Sequence, residues 1–364
     1  MHITDKELFG EGQKRDILAL SLEKIEDFLV SFKEPKYRAK QIFGWLHAQM
    51  ITSFDEMTNI PKTLRDILKY RFYIPNPDIL NKVTSKRDGS IKYLFDYGSE
   101  VMVETVLMKS NYGYTICVST QVGCKMGCTF CASHIAGFTK NLTAGQILSQ
   151  VYRIQREIDK KISNIVIMGI GEPLDNYDSS VTFIRNLSSP HGHNLSQRNI
   201  TISTCGIVEK MYDLANEGLT VTLAISIHAG DDIVRKQIMP VARRYTMAEI
   251  KKAADYYFEK TKRRVSYEYV LIKDVNDTKE QAESLAKYLR YSPSHVNLIP
   301  LNAVSESGYL TSAGKQTKDF LSILEKQNIS TTVRISKGQD INAACGQLRR
   351  NAMEKERQKE KIEA

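Results

Sequence analysis

The sequence of 364 residues predicts an α/β protein: a partial (β/α)6 barrel with extra strands and a small N-terminal helical domain. First, apolar β-rich runs alternate with helical stretches about six times, which is typical of parallel βα units. Second, the polar and reactive residues follow the C-terminal ends of the predicted strands, where barrel enzymes build their active sites. Third, the first part of the chain shows only helical periodicity.

The N-terminal part, residues 1–74, is predicted to be a helical accessory domain. Apolar residues have helical spacing over residues 13–30, over "PKYRAKQIFGWLHAQM" and over "PKTLRDILKYRF". The segment "IPNP" separates this module from a β-rich part of the chain. The strand-like runs "SIKYLFDY" and "EVMVETVLM" predict a β-rich extension at residues 75–109.

Residues 110–348 are predicted to form the barrel core with a C-terminal catalytic loop. Its strands are "YTICVST", "NIVIMGI", "NITIST", "VTLAISIH", "RVSYEYVLI", "HVNLIPL" and "TTVRIS". Helical stretches separate them, beginning with "TAGQILSQVYRIQREI", for which Thr143 is the expected N-cap. The charged tail at residues 349–364 is expected to be a frayed helix or disordered.

Composition limits the classes of protein and of partner. The net charge is +9, which favours an anionic partner, with nucleic acid ahead of a membrane. The excess lies on the barrel, because residues 1–110 hold 17 Lys and Arg against 16 Asp and Glu. No stretch is long and apolar enough to span a bilayer, and the first residues lack the apolar core of a secretory signal, so we expect a cytoplasmic protein.

Three cysteines lie on one short loop after the first barrel strand. Cys124, Cys128 and Cys131 have the spacing Cys-x3-Cys-x2-Cys, and in a cytoplasmic protein they indicate metal or redox chemistry. A zinc site could recruit His134 as its fourth ligand. A [4Fe–4S] cluster suits one compact loop better, because three irons take thiolates and the fourth iron stays open.

This motif, with Phe130 before its last cysteine, resembles the signature of radical S-adenosylmethionine (SAM) enzymes. The remaining chain resembles one subgroup, the RlmN-type RNA adenine-C2 methyltransferases. The similar blocks run in order over residues 34–348: "EPKYRAKQI", "CVSTQVGC", "KNLTAGQI", "GIGEPLDNYD", "LAISIHA", "YEYVLIKDVND", "VNLIPLN" and "DINAACGQL".

The resemblance implies a site for SAM. The open iron would be chelated by the amino and carboxylate groups of SAM, with Gly171 and Glu172 holding its methionine end. A carboxylate suits an ammonium group, and a glycine allows close backbone approach. The residues expected to line the rest of the SAM site are Ser203, Ser226, Ile227, His228 and Asn302.

The resemblance also implies three catalytic residues. Cys345 would accept a methyl group from one SAM, and cleavage of a second SAM would give a radical that activates this methyl group for addition to adenine C2. Cys117 would accept the C2 proton and then close a disulfide with Cys345. Glu104 matches a family acid assigned to proton transfer, although a glutamate on an alternating strand usually belongs to the solvated face. Cys205 is expected to be a small packing residue.

The expected product is 2-methyladenosine in 23S rRNA, at adenosine 2503, and in tRNA, at adenosine 37. A flavodoxin-like electron donor and a monomeric enzyme are also expected. Two alternatives remain at this point: a related methyltransferase that modifies C8 of the rRNA adenosine, and a non-enzymatic zinc-binding RNA module. The resemblance also implies that the helical domain at residues 1–74 assists RNA binding. The candidate RNA contacts are residues 36–38, Arg153, Arg156, Arg243, Arg244 and residues 262–264.

Overall fold

The computed structural model describes residues 14–98, 101–110, 113–135, 137–302, 308–334 and 338–341. In these ranges the chain forms an N-terminal helical module and one large mixed sheet with helices between its parallel strands. The predicted class, a partial barrel with extra strands and a helical N-terminal domain, is confirmed.

Over residues 14–74, the N-terminal module contains three α-helices, as predicted: α1 (Leu22–Ser31), α2 (Tyr37–His47) and α3 (Lys62–Arg71). Two short parallel strands, β1 (Arg15–Asp16) and β2 (Phe72–Tyr73), bring its ends together. The first helix begins later than its periodicity suggested, because the Ser21 side chain caps it by accepting from the amide of Lys24 at 3.3 Å.

The large sheet has ten strands in the order β14-β13-β12-β11-β10-β9-β6-β5-β4-β3. The antiparallel strands at one side are β3 (Asp78–Thr84), β4 (Ile91–Asp96) and β5 (Met102–Ser110). The parallel strands are β6 (Gly113–Cys117), β9 (Ile162–Ile167), β10 (Ile200–Thr204), β11 (Thr222–Ser226), β12 (Val265–Leu271), β13 (Ser294–Pro300) and β14 (Thr331–Val333).

Helices connect consecutive parallel strands, which gives the six predicted βα units and a final strand. These helices are α4 (Ala144–Ile158), α5 (Tyr177–Ser188), α6 (Val208–Asn216), α7 (Asp232–Ile238), α8 (Met247–Thr261), α9 (Lys279–Leu289) and α10 (Gly314–Lys326). Thr143 caps α4 as expected, and its side chain accepts from the amide of Gln146 at 3.0 Å. Two further short strands, β7 (Gln121–Val122) and β8 (Lys140–Asn141), pair around the cysteine loop.

The N-terminal module and the barrel share one hydrophobic core. At their junction, the Nδ1 atom of His47 lies 2.9 Å from the hydroxyl of Tyr152 on α4. The amide of Asn186 on α5 donates to the carbonyls of Leu18 and Leu20, both at 3.0 Å. These contacts fix the module against α4 and α5. The proposed domain limits at residues 74, 109 and 348 remain a prediction, and the tail at 349–364 lies outside the described residues.

Across the described ranges, every helix is too short or too polar to cross a lipid bilayer.

Candidate active site

The cysteine loop leaves the sheet immediately after β6 and is closed at its base by β7 and β8. Gly123 begins it with φ of +82°, and a β-carbon there would lie 1.6 Å from the carbonyl oxygen of Gly137. Only glycine can occupy that position. Farther along the loop, the amide of Cys131 donates to the carbonyl of Cys128 at 3.0 Å, which holds the last two cysteines in one turn.

The three cysteines line one cavity of about 250 Å³ at the C-terminal ends of the parallel strands. Five of the residues expected at the SAM site line the same cavity: Gly171, Glu172, Ser203, Ser226 and His228. Eight residues predicted from the sequence therefore lie at one location, although they come from four different strand ends.

Two other expected SAM-site residues are placed differently. The side chain of Ile227 is fully buried, and its backbone amide donates to the carbonyl of Glu268 at 3.1 Å. Asn302 follows β13 and is partly exposed. Neither residue contributes to the part of the cavity wall that the described residues form.

Glu172 supports the cavity from one side. Its two carboxylate oxygens accept from the amides of Leu174 at 3.0 Å and Cys205 at 2.7 Å, which joins the loop after β9 to the end of β10. Burial raises the pKa of Glu172, and these hydrogen bonds partly oppose that shift. A bound ammonium group would restore the charged form of this carboxylate. Cys205 is buried, as expected of a packing residue.

Gln121 connects the cysteine loop to the loop that carries Gly171 and Glu172. Its side-chain oxygen accepts from the amide of Glu172 at 2.9 Å, and its nitrogen donates to Asp175 at 2.7 Å. Gly171 has φ of +109°, and a β-carbon there would lie 2.6 Å from the β-carbon of Gln121. The role of Gln121 was not predicted from the sequence, because the sequence of a short strand does not show which residues its polar side chains will contact.

His228 is held as a neutral ring. Its Nδ1 accepts from the amide of Val270 at 3.0 Å, so the neutral ring carries its proton on Nε2. Burial, aided by the charge of Arg235, lowers the pKa of His228 to about 3. Phe130 packs edge-on against this ring, with the centroids 5.1 Å apart. The residue before the last cysteine thus contacts the opposite wall of the cavity.

Glu268 and Arg334 also line the cavity, and no sequence pattern indicated either of them. Glu268 accepts from the amide of Asn297 at 2.8 Å and lies 3.5 Å from the guanidinium of Arg334. Because these residues lie on β12, β13 and just after β14, their proximity depends on strand order in the sheet.

Two of the three expected catalytic residues, Cys117 and Glu104, are not among the described residues that line this cavity. Cys117 ends β6 and is partly buried. Glu104 on β5 is buried, not on a solvated face, and its carboxylate lies 2.6 Å from the ammonium of Lys92 on β4. Cys345 lies outside the described residues.

Several candidate RNA contacts have internal partners. Arg156 donates to the carbonyl of Met50 at 2.7 Å and to the side chain of Asn76 at 2.6 Å. Arg263 donates to the hydroxyl of Thr222 at 2.8 Å. Arg156 therefore helps to hold the N-terminal module on the barrel.

The cysteine loop fits an iron–sulfur cluster chemically. Burial, together with the nearby Cys131 and Glu172, raises the pKa of the Cys124 thiol to about 12, and burial also raises the pKa of Cys128. Three thiolates would be unfavourable here without a cationic centre, and iron supplies one.

The loop is less suited to a single metal ion. In the part of the chain that the structure describes, no three His, Cys, Asp or Glu side chains converge as ligands of one metal ion. A four-iron cluster takes each thiolate on a different iron, so it does not require that convergence. His134, the fourth ligand of the zinc alternative, directs its Nδ1 to the carbonyl of Cys131 at 2.7 Å.

Comparisons with known proteins identify the family. Residues 118–289 match the Radical SAM superfamily, and residues 15–74 match the Ribosomal RNA large subunit methyltransferase N-terminal domain. A relative from Lachnoclostridium phytofermentans named "Probable dual-specificity RNA methyltransferase RlmN" is 50% identical, with 94% of this chain and 96% of the relative covered. A relative of the same name from Clostridium tetani is 48% identical, over 92% and 96% of the two chains.

A solved structure agrees with these matches. The crystal structure of a radical SAM methyltransferase from Sphaerobacter thermophilus is 42% identical and superimposes with a TM-score of 0.86, over 92% of this chain and 98% of that one. Enzymes of this superfamily use a [4Fe–4S] cluster and SAM, which agrees with the three thiols and the carboxylate that line one cavity. The chain belongs to the RlmN family of radical SAM methyltransferases.

Proposed function

We propose that this enzyme forms 2-methyladenosine in 23S rRNA, at adenosine 2503, and in tRNA, at adenosine 37. The observation that carries this proposal is the similarity over nearly the whole chain to relatives named as dual-specificity RNA methyltransferases. The match of residues 15–74 to an N-terminal domain of rRNA methyltransferases supports an RNA substrate.

The cysteine loop and the cavity wall hold the cofactors. Cys124, Cys128 and Cys131 ligate the cluster, and Gly171 and Glu172 hold the methionine end of SAM. The other residues that we assign to the SAM site are Ser203, Ser226, Ile227, His228 and Asn302. The shared cavity supports this assignment for Ser203, Ser226 and His228. The assignment of Ile227 and Asn302 rests on the family resemblance.

When bound, the cluster and two SAM molecules per turnover would supply the methyl group, the radical that removes one hydrogen atom from it, and an acceptor for the one electron that the adduct on C2 must lose. Side chains of this protein carry out the remaining steps. Cys345 carries the methyl group as a thioether and joins it to C2 of the adenine. Cys117 takes the proton from C2, and Glu104 then accepts that proton from the Cys117 thiol. The S–H electron pair stays on sulfur, which leaves a thiolate.

The thiolate of Cys117 releases the product. It attacks the sulfur of Cys345, so that an S–S bond forms and the bond from sulfur to the methylene carbon breaks. The electron pair of the broken bond stays with the carbon on C2, which takes a proton and becomes the methyl group. The burial of Glu104 and the position of Cys117 on the neighbouring strand support these roles.

Reductive cleavage of SAM requires an electron donor. A flavodoxin-like protein is the proposed electron donor, and we propose a monomeric enzyme that acts in the cytoplasm. The charge of +9 for the chain suits a polyanionic RNA substrate.

Product analysis of the reconstituted enzyme tests the proposal. The protein is reconstituted anaerobically with iron and sulfide and incubated with SAM, a reductant and transcripts that contain either target adenosine. The RNA is then digested to nucleosides for mass spectrometry against authentic standards. We expect 2-methyladenosine in both transcripts. Formation of 8-methyladenosine without a 2-methyl product would establish the C8 alternative instead.

A further inference from the structure

Strands β4 and β5 contain an ion pair that is almost completely removed from solvent. The ammonium of Lys92 lies 2.6 Å from Oε2 of Glu104, and the two side chains are 0% and 2% exposed. Burying two charges costs several kcal/mol per ion, so a buried pair of this kind contributes little net stability. Stability alone therefore gives no reason to place a lysine in this position.

The pair lies on the face of the sheet that points away from α4. On the opposite face, the hydroxyl of Tyr93 donates to Glu157 at 3.2 Å, and the hydroxyl of Thr105 donates to Gln150 at 2.7 Å. Both acceptors belong to α4. Side chains alternate along a strand, so Lys92 and Glu104, adjacent in sequence to Tyr93 and Thr105, point to the other face.

Cys117 shares that face. Strand register pairs Lys92 with Val106 on β5, and Val106 with Cys117 on β6, so the three residues form one row across the sheet. Glu104 lies two positions from Val106 and is the diagonal neighbour of Cys117. Diagonal neighbours in antiparallel strands are about 7–8 Å apart, within reach of a long side chain.

We propose that Lys92 is a positioning residue for Glu104. Its ammonium holds one carboxylate oxygen and fixes the rotamer in which Glu104 faces Cys117. The S–H bond of Cys117 breaks, an O–H bond forms on Glu104, and the thiolate keeps the electron pair for its attack on Cys345. This inference rests on the proposed function, because it assigns Lys92 a part in the release step of that reaction.

The test compares four variants of the full-length holoenzyme: Lys92→Met, Glu104→Gln, the double variant, and Lys82→Met as a matched control. Lys82 on β3 also pairs with a glutamate, Glu157, but that pair is on the α4 side and Lys82 is 43% exposed. Three quantities are measured: methylation of Cys345 by peptide mass spectrometry, covalent protein–RNA species on denaturing gels, and steady-state formation of methylated RNA.

We expect Lys92→Met to lower kcat at least about tenfold and to leave KM for RNA unchanged. A positioned acid or base usually accelerates a reaction about 100- to 10,000-fold, and losing its orientation removes part of that acceleration. Methylation of Cys345 stays at the wild-type level, and the covalent protein–RNA species accumulates. The double variant matches Glu104→Gln within about twofold, because two residues that act through one group are not additive. Lys82→Met behaves as the wild type.

Several outcomes would overturn the proposal. One such outcome is a kcat for Lys92→Met equal to that of Lys82→Met. Another is a kcat for the double variant far below that of Glu104→Gln alone. A double variant with wild-type turnover would give the pair a purely structural role. If Lys92→Met does not fold, the double variant, which removes both charges, is compared with Glu104→Gln instead. A wild-type enzyme that makes no 2-methyladenosine would instead refute the proposed function and this inference with it.

Discussion

Arg235 on α7 holds together three segments around the candidate active site. Its side chain is completely buried, and its guanidinium donates to the carbonyls of Cys205 at 2.6 Å, Ile227 at 3.2 Å and Tyr245 at 3.3 Å. These carbonyls follow β10, follow β11 and precede α8. Replacing Arg235 by lysine keeps the charge but removes the planar fork that reaches all three.

The loss can be estimated from these contacts. A hydrogen bond from a charged donor contributes about 1.5–3 kcal/mol, and an ammonium in this position can satisfy one of the three carbonyls well. Two buried carbonyls then lose their donor, so we expect Arg235→Lys to lower the free energy of unfolding by about 3 kcal/mol. Arg235→Met loses all three bonds but also removes a buried charge, so its loss should be of similar size.

Urea denaturation followed by circular dichroism measures this loss for the holoenzyme. The control is Arg185→Met, since Arg185 is 52% exposed where it pairs with Glu217 and such pairs contribute at most about 1 kcal/mol. A decrease of less than about 1 kcal/mol for Arg235→Lys would refute the reasoning, because charge alone would then account for Arg235.

Four further outcomes are expected. Cys345→Ala should abolish the methylated enzyme intermediate in peptide mass spectrometry, and full methyl transfer to RNA by this variant would contradict its role. Cys117→Ala should trap a covalent protein–RNA species on denaturing gels, and its absence would count against the release step. Asp340 accepts from Ser85 at 2.7 Å and anchors the chain five residues before Cys345, so Asp340→Asn should slow methylation of Cys345 several-fold in a time course. Burial lowers the pKa of His47 to about 3, below the unfolded value near 6.5, so protons bind the unfolded chain preferentially and stability falls as pH drops from about 6.5 towards 3. In thermal melts at pH 7 and pH 5, His47→Gln should show a smaller pH dependence than the wild type, and an equal dependence would contradict this origin.

The sequence was sufficient to predict the barrel and the place of its site. Alternating strand and helix patterns specify parallel βα units, and parallel units bring every C-terminal strand end to the same edge. For that reason Cys124, Glu172 and His228 could be expected together from their positions after predicted strands, and they line one cavity.

Contacts that depend on strand order or on burial of charge could not be predicted. Arg235 lies in "DDIVRKQIM", which is typical of an ordinary solvated helix, yet it is completely buried. Lys92 and Glu104 are charged residues within two largely apolar strands, and a charged residue on a strand usually faces solvent. Only the register of β4 and β5 brings them together. Periodicity describes one element at a time, and it contains no information on which elements become neighbours.

Nucleoside analysis of cellular RNA tests the central proposal most directly. Ribosomal RNA and tRNA are isolated from the source organism, from a strain that lacks the gene, and from the same strain with the gene restored. We expect 2-methyladenosine to disappear from both RNA classes on deletion and to return with the wild-type gene but not with the Cys345→Ala variant. Unchanged 2-methyladenosine in both classes after deletion would contradict the proposed function.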